Sequence, residues 1–532
     1  MMNVCIAGAA GDGVRGGGVI LGKIFSELGY SVFVYQEYQS RIRGGYNASV
    51  VRASEREIDS HAYYYDALIC LQDYVFERHV DRLRGLLICD SSFSLDHDRK
   101  VEFPISETVK KLNLPDVSRN IAAISVFCKL FGVDIEVLEK VIRESFGERG
   151  ERNIEAVKAV YEDLNVSIGQ MQRVGERKEL VSGAKAIAEG MLNAGLKFYY
   201  AYPMTPASPI LHILAADSRC IALQPENEIA AIMMVIGSAF GGERAAVGTS
   251  GGGFALMSES ISLAGMAEIP VLIILAQRSG PSTGMATFTA QQDLYFALNP
   301  AHGEFPLIVA SPLTIEDSYK LAGDLLNLAW EFQTPAILLT EKHMTESYTT
   351  AKLGGVVKKE VEIFREKCSE VFERYKITES GISPYASPPA LVKANSNEHD
   401  EYGFATDDAE IATKMYAKRM RKEKEIAKVV ENLEPFVEMK NGKDWIVTWG
   451  SNFGAVKEVA EELGFSVAAV RFMRPLFLPK ISGEMFCVEC NYAGLLAKLL
   501  EAEGLEVKRI LRWDGRPFTP EEIRREIERW AE

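Results

Sequence analysis

A chain of 532 residues is too long for one ordinary hydrophobic core, so three or four domains are expected. A formal net charge of −15 leaves no basic surplus to meet phosphates, which argues against a nucleic-acid partner. The first residues run straight into a strand-like segment, with no signal-peptide pattern and no apolar span of the ~20 residues a membrane helix needs, so a cytoplasmic protein without membrane association is expected.

From Met1 to about 175, strands alternate with amphipathic helices. Asn3–Ala7 reads as a strand, Gly17–Leu28 as a helix and Ser31–Tyr35 as a second strand. Ala67–Leu71 and Leu86–Cys89 read as further strands and Asn120–Phe131 as a helix. The first strand feeds a glycine-dense loop in which Gly11-Asp12-Gly13-Val14-Arg15-Gly16 satisfies GxGxxG, and Glu37 follows the second strand. That pattern suits a dinucleotide, but glycine-rich loops at helix starts serve any phosphate or close backbone contact. Gly11-Asp12-Gly13 also looks like the opening of a thiamine diphosphate–metal motif, yet the asparagine required one βαβ step later is missing, since Asn47 comes too late. Arg41 and Arg43, in the run Tyr38–Asn47, add a cationic surface suited to phosphate or carboxylate, or else a solvated loop.

After the polar segment Gln170–Lys178, a second α/β unit opens with the helix Val181–Leu192. Its strand candidates are Phe198–Ala201, Cys220–Leu223, Ala245–Gly248, Val271–Ala276, Leu307–Val309 and Ala336–Leu339, which imply a parallel sheet covered on both faces. Three polar landmarks follow three of these strands: Tyr202-Pro-Met-Thr-Pro206, Pro225-Glu-Asn-Glu228 and Gln277-Arg-Ser-Gly-Pro-Ser-Thr-Gly284. Ligands bind outside the carboxyl ends of such strands, so Thr205, Glu228 and Arg278 can meet over one sheet edge. A hydroxyl, a carboxylate and a guanidinium together suit an anionic carbonyl substrate held beside an ionisable cofactor. Each also has a plain reading: a turn threonine, a carboxylate at a helix N-terminus (where Glu226 would serve equally), and an arginine in a structural ion pair. Tyr202, Ser282 and Thr283 are the remaining polar candidates on these loops, Ser282 and Thr283 shaping the loop rather than reacting. No serine–histidine–acid order suggests hydrolysis.

The pattern breaks between about 342 and 434, where a proline-rich Ser383–Pro389 precedes a highly charged helix, Asp407–Glu431, expected to be mostly solvated. His399, among Glu398, Asp400 and Glu401, is read as a solvated histidine rather than a metal ligand. A last α/β unit begins with the strand Trp445–Thr448 and closes with the helix Pro520–Trp530, whose Thr519-Pro-Glu-Glu522 start combines a capping residue with proline in the first turn. Eight cysteines are scattered, and Cys487-Val-Glu-Cys490 alone has CxxC spacing. It lies in the strand-like Met485–Glu489, where buried structural thiols are expected rather than a redox or metal pair.

With these residues in view, nearly the whole chain resembles the 2-oxoacid:ferredoxin oxidoreductases, and more narrowly their alpha subunit with a gamma domain fused at its N-terminus. The motifs that carry the resemblance are Gly11-Asp-Gly-Val14 with Ser40-Arg-Ile-Arg-Gly-Gly45, then Tyr202–Pro206, Glu226–Ala231 and Thr249–Phe254. Gln277–Gly284, Gln292-Asp293, His302-Gly303, Trp449–Ser451 and Glu489–Asn491 follow in family order. Met204, Ala286 and Gly252 depart from the usual residues without removing a polar group. The resemblance implies three α/β units with mostly parallel sheets: a gamma-like domain over 1–175, a pyrimidine-binding alpha domain over 179–345, a linker excursion over 346–440 and a C-terminal α/β domain over 441–532. It implies oxidative decarboxylation of a 2-oxoacid (2-oxoglutarate, a branched-chain oxoacid or pyruvate) with coenzyme A, to acyl-CoA, carbon dioxide and reduced ferredoxin. Glu228, with Pro206 beside it, would hold the pyrimidine of thiamine diphosphate, while Arg278, Thr205, Tyr202, Ser282 and Thr283 would hold the oxoacid. Gly11, Asp12, Gly13, Arg15, Arg41 and Arg43 would serve coenzyme A. Magnesium and an iron–sulfur cluster belong to a separate beta subunit, so an alpha–beta heterodimer or a dimer of heterodimers is implied. Two other readings stand beside this one: an NAD(P)- or FAD-dependent oxidoreductase using the GxGxxG loop, and a non-catalytic assembly subunit.

Overall fold

The most apolar stretch of the sequence becomes the middle of a sheet. In the computed structural model, which describes residues 1–41 and 44–531, every residue of the strand Val271–Gln277 is buried. Val-Leu-Ile-Ile-Leu-Ala offers no polar alternate, a pattern tolerated only where helices cover both faces. The strand lies in a seven-stranded sheet ordered Phe472–Arg474, Ile308–Ala310, Pro335–Glu341, Val271–Gln277, Ala245–Thr249, Phe198–Tyr200 and Ile221–Leu223. All neighbours are parallel except the antiparallel edge strand Phe472–Arg474. The loops after Tyr200, Thr249, Gln277 and Glu341 therefore leave from the same edge. A five-stranded sheet, ordered Phe436–Met439, Ser466–Val470, Trp445–Trp449, Met485–Glu489 and Lys508–Leu511, is likewise parallel apart from its first strand. Both sheets belong to one unit of the chain, Gly183–Thr345 with Leu353–Phe518.

The other unit comprises Met1–Ser182, Glu346–Lys352 and the chain from Thr519 onward. Its eight-stranded sheet is mixed: Gly44–Ser54 runs antiparallel between Met2–Ala10 and Ser31–Tyr38. Sequence reading took the first part of this segment as a loop, because its two glycines mask the alternation that follows them. The C-terminal helix Pro520–Ala531 starts as its residues dictate: Glu522 reaches back to accept from the Thr519 amide at 3.0 Å and from its hydroxyl at 2.9 Å.

One expectation is refined and one corrected. The charged helix Ala409–Glu431 keeps most of its residues exposed or partly exposed, as expected, but Met415, Lys418, Lys422, Ile426 and Val430 form a buried stripe at helical spacing. The two lysines lie in it because Glu268 is buried opposite them. Lys418 Nζ sits 2.6 Å and Lys422 Nζ 2.5 Å from its carboxylate, and Arg374 donates to the Glu268 carbonyl at 2.8 Å. Burial works to raise the Glu268 carboxyl, but Lys422, Lys418 and Arg374 outweigh it and hold the group well below the usual range. His399 is also buried rather than solvated, its ring 4.2 Å from that of Tyr375. Among the described residues, no helix is long and apolar enough to cross a membrane.

Candidate functional site

The strand Phe198–Tyr200 delivers the loop Ala201–Pro206 to the carboxyl edge of the seven-stranded sheet, and Val271–Gln277 delivers Arg278 to the same edge. The two loops are joined directly, because Arg278 Nη1 donates to the Thr205 carbonyl at 3.0 Å. The Thr205–Pro206 peptide is cis, and Pro206 is buried beneath it. The Thr205 side chain stays partly exposed beside the guanidinium. Met204 points inward, its methyl 3.8 Å from where a Cβ at Gly252 would stand and its sulfur 3.7 Å from the Thr249 hydroxyl.

Glu228 is the first residue of the helix Glu228–Phe240, whose N-cap Asn227 accepts from the Ala230 amide at 2.9 Å. Asn227 does the capping, which leaves the Glu228 side chain free for another task. That side chain is only 6% exposed, yet no hydrogen bond ends on its carboxylate among the described residues. Its neighbour is the turn Gly251–Gly253, where a Cβ at Gly253 would stand 2.6 Å from Glu228 Oε1 and 2.3 Å from Thr249 Oγ1. Glycine is required there by close approach. Ser250 Oγ, at the head of that turn, is buried without a partner.

Arg278, Ser250, Gly251, Gly252, Ser282 and Asp293 share a cavity of about 630 Å³, closed on another side by Asn491 and Tyr492. The structure thus sets Arg278, bonded to Thr205, beside Gly251 and Gly252, and Glu228 against Gly253 of the same turn. Of the residues expected from sequence, Arg278 and Ser282 line this cavity, whereas Thr205, Pro206, Glu228, Thr283 and Tyr202, 41% exposed, do not.

Asp293 and the segment Asn491–Tyr492 are site residues to which sequence reading gave no role, although Gln292-Asp293 and Glu489-Cys-Asn491 stood among the quoted motifs. Burial pushes the Asp293 carboxyl up to about 6, against the pull of the Arg278 guanidinium. Burial lowers Arg278 in turn, with Asp293 opposing. Beyond them lies a buried polar network. Gln291 donates to the Trp449 carbonyl at 2.9 Å and accepts from Asn452 at 2.7 Å, while the Ser451 amide donates to Glu341 at 2.6 Å. Cys487 and Cys490 are buried free thiols, as expected for strand cysteines. Glu489 carries out a structural task, accepting from the amides of Leu496 and Ala497 at 2.8 and 3.0 Å.

In the N-terminal unit the glycine loop serves packing as much as access. A Cβ at Gly13 would meet Asn120 at 2.2 Å, and one at Gly18 would meet Ser49 at 2.4 Å, whereas Gly11 and Gly16 face open space. Asp12 ties the loop down, accepting from the Ala9 amide at 2.8 Å, from Arg119 at 3.0 Å and from Gln72 at 2.9 Å. Arg15 is held by Gln36 at 2.8 Å and lies over the Tyr38 ring, while Arg41 is exposed. Arg43 lies outside the described residues. Because Gly44–Ser54 intervenes between the first two strands, Glu37 stands two strand spacings, roughly 9–10 Å, from the strand that ends in the loop. A dinucleotide fold needs those strands adjacent, so this topology disfavours the ribose-binding reading of Glu37.

Comparison with known proteins agrees with this geometry. Residues 189–418 match the family model of the thiamine diphosphate-binding domain of pyruvate flavodoxin/ferredoxin oxidoreductase, and residues 3–163 match the pyruvate ferredoxin/flavodoxin oxidoreductase model. The chain is 30% identical to a 2-oxoacid:ferredoxin oxidoreductase subunit alpha of a Sulfolobus species, over 97% of this chain and 95% of that one. It is 31% identical to a 2-oxoglutarate synthase subunit KorA of Archaeoglobus fulgidus, over 54% of this chain and 77% of that one. Among solved structures, a 2-oxoglutarate:ferredoxin oxidoreductase from Magnetococcus marinus, with 2-oxoglutarate, coenzyme A and succinyl-CoA bound, superposes with a TM-score of 0.89 at 26% identity, covering 100% of this chain and 99% of that one. The chain belongs to the 2-oxoacid:ferredoxin oxidoreductase family, on the side of its alpha subunits.

Proposed function

We propose that this chain is the alpha subunit, with a gamma-like domain over 1–175, of a thiamine diphosphate-dependent 2-oxoacid:ferredoxin oxidoreductase. It decarboxylates a 2-oxoacid oxidatively with coenzyme A. The observation that carries the reading is the Glu228 carboxylate, which accepts no hydrogen bond among the described residues although the residue is only 6% exposed, and which lies against Gly253. A carboxylate largely withdrawn from water gains by any donor that reaches it. The protonated N1′ of an aminopyrimidine is a donor of the right kind. Bound thiamine diphosphate supplies the nucleophilic carbon and electron sink that the decarboxylation needs.

This chain's own residues do the rest. Glu228 holds the proton at N1′. Arg278, already fixed to the Thr205 carbonyl, grips the substrate's 1-carboxylate, and the Thr205 hydroxyl meets the adjacent carboxylate or keto oxygen. The cavity wall of Ser282, Asn491 and Tyr492 faces the variable end of the oxoacid and limits water.

The alpha domain over 179–345, with Asn491 and Tyr492 of the C-terminal domain, supplies this half of the site, and a beta subunit would supply magnesium for the diphosphate and an iron–sulfur cluster for electron transfer. An apolar face beside Glu228 supports a partner there. Ile221 and Leu223 on the edge strand are 55% and 45% exposed, Ile229 and Met233 on the Glu228 helix 48% and 41%, and Leu256 52%. Ile229 and Met233, four residues apart on one helix face, expose apolar surface of the kind an interface covers. An alpha–beta heterodimer or a dimer of heterodimers accommodates it.

In the N-terminal unit, Gly11, Gly13, Arg15, Arg41 and Arg43 serve coenzyme A, with Asp12 bracing the loop. Titration calorimetry of the complex with coenzyme A and with NADH tests this, and charge reversal at Arg41 raises the KM for coenzyme A without slowing the decarboxylation step. Tight NADH binding without coenzyme A binding would return the glycine loop to the dinucleotide reading. For the reading as a whole, the test is thiamine diphosphate binding with magnesium. The complex binds it tightly and the isolated chain poorly, and equal affinity of the two would refute the shared site.

A further inference from the structure

Asp293 occupies the N-cap of the helix Leu294–Leu298, where an aspartate carboxylate ordinarily accepts from first-turn amides, yet it makes no such bond. Its carboxylate lies instead on the wall of the Arg278 cavity, against Gly251, where a Cβ would stand 2.8 Å from Oδ2 and 3.2 Å from Oδ1. Among the described residues no hydrogen bond ends on it, and no cation lies within 4.0 Å. Its backbone is nonetheless fixed. The Asp293 amide donates to Gln277 Oε1 at 2.9 Å, and Gln277 Nε2 donates to the Thr340 carbonyl at 3.3 Å. Gln277 and Arg278 are consecutive, so one strand end holds both the guanidinium and the aspartate.

The charged group whose field reaches Asp293 is Arg278, on the loop after Val271–Gln277. The loop packed opposite contributes one titratable side chain to the wall, the Tyr492 phenol, and the glycine turn contributes none. Tyr295, on the residue's own helix, is exposed. Asp293 therefore faces one cation, and that cation is the group needed by an incoming carboxylate. Two carboxylates brought together at one guanidinium cannot both stay ionised without cost, and one of them gains a proton. Burial already favours the protonated form of Asp293.

We propose that Asp293 takes up a proton as the 2-oxoacid enters, so that the substrate meets the Arg278 cation and a neutral carboxylic acid that donates to a substrate oxygen. This rests on the oxoacid site described above and adds a substrate-binding residue to it. A protonated carboxyl is a donor where a carboxylate is only an acceptor, and an asparagine amide is a permanent donor of similar shape.

The test uses the co-purified complex, with oxoacid-dependent dye reduction measured from about pH 6 to about pH 8.5. For one required proton, kcat/KM for the oxoacid falls about tenfold per pH unit above the Asp293 titration, and the fall is carried by KM rather than kcat. In Asp293→Asn the slope is lost and the profile becomes flat. A second readout needs no turnover. Calorimetric titration of the thiamine-free complex with the oxoacid, in two buffers of different ionisation enthalpy, gives the protons bound per site. Near pH 7.5 this is about one for the unaltered complex and none for Asp293→Asn. An unchanged pH slope in Asp293→Asn, or oxoacid binding by the unaltered complex without proton uptake, overturns the proposal, and the second result stands even if the variant does not fold. Arg278→Ala in the same assays separates the two levels. If it binds oxoacid normally, the oxoacid site itself is misassigned. If it fails while Asp293→Asn keeps the slope, only the role of Asp293 is wrong.

Discussion

Replacing Arg278 with alanine separates binding from folding, because the structure gives the guanidinium few internal duties. Among the described residues it makes one hydrogen bond, to the Thr205 carbonyl at 3.0 Å, and one longer-range attraction, to Asp293. Losing the bond at a half-buried loop costs about 1 kcal/mol of stability, which moves the melting temperature by only a few degrees. Toward the substrate the loss is larger. A bidentate guanidinium–carboxylate pair contains two charge-assisted hydrogen bonds of about 1.5–3 kcal/mol each. Taking the low end for a partly exposed arginine gives about 3 kcal/mol, or roughly 10²-fold in kcat/KM. The assay is oxoacid-dependent reduction of a redox dye by the complex, across 2-oxoglutarate, a branched-chain oxoacid and pyruvate. The factor should be the same for each accepted substrate, because the 1-carboxylate is common to all. A fall of kcat/KM below threefold, or a fall confined to one oxoacid, would refute the assignment, and a melting-temperature loss beyond about ten degrees would favour a structural arginine. Thr205→Ala should be milder, since alanine keeps the carbonyl that Arg278 uses.

Glu228→Gln should abolish decarboxylation while leaving the complex assembled, and Glu226→Gln should be far milder; the opposite order in a single-turnover carbon dioxide assay would show the wrong glutamate was chosen. Glu268→Gln removes the carboxylate between Lys418 and Lys422 and leaves two buried ammonium groups unpaired, a loss of about 3–5 kcal/mol that urea unfolding would register as a lower midpoint. A midpoint unchanged within error would mean the lysines reach water. Glu341 provides a pH test. Burial raises its carboxyl to about 7, against hydrogen bonds from Ser451 and Gln291, so the native state holds this proton more tightly than the unfolded chain does. Stability from this group is therefore complete at low pH and declines as pH rises from the ordinary carboxyl range to about 7, by about 3 kcal/mol in all. Glu341→Gln should lose less stability than the unaltered protein between about pH 5 and pH 8, and parallel losses would count against the buried titration.

The sequence carried the parallel sheet well because Val271–Ala276 is uniformly apolar and its flanking loops are polar, a contrast that needs no tertiary information. The positions of Thr205, Glu228 and Arg278 beyond strand ends were legible for the same reason. Gly44–Ser54 was harder, since its opening glycines read as a turn. The buried stripe of the charged helix Ala409–Glu431 was not legible, because Lys418 and Lys422 look solvated until Glu268, about 150 residues earlier, is placed against them. Asp293 failed for a similar reason. An aspartate before a short helix looks like a cap, and only Gly251 and Arg278 in three dimensions show its carboxylate facing a cavity. Glu37 illustrates the converse, a correct spacing defeated by an antiparallel strand inserted between its own strand and the loop.

The central claim is that this chain contributes the substrate grip and Glu228 to a thiamine-dependent oxidative decarboxylation that requires a partner. The most direct measurement is electron transfer from 2-oxoacid to ferredoxin by the co-purified complex, with omission of each component and with Glu228→Gln as control. The account predicts reduction that requires oxoacid, thiamine diphosphate and coenzyme A together, with one acyl-CoA and one carbon dioxide formed per two electrons and no turnover by Glu228→Gln or by the isolated chain. Turnover by the isolated chain, or reduction that persists without thiamine diphosphate, would contradict it.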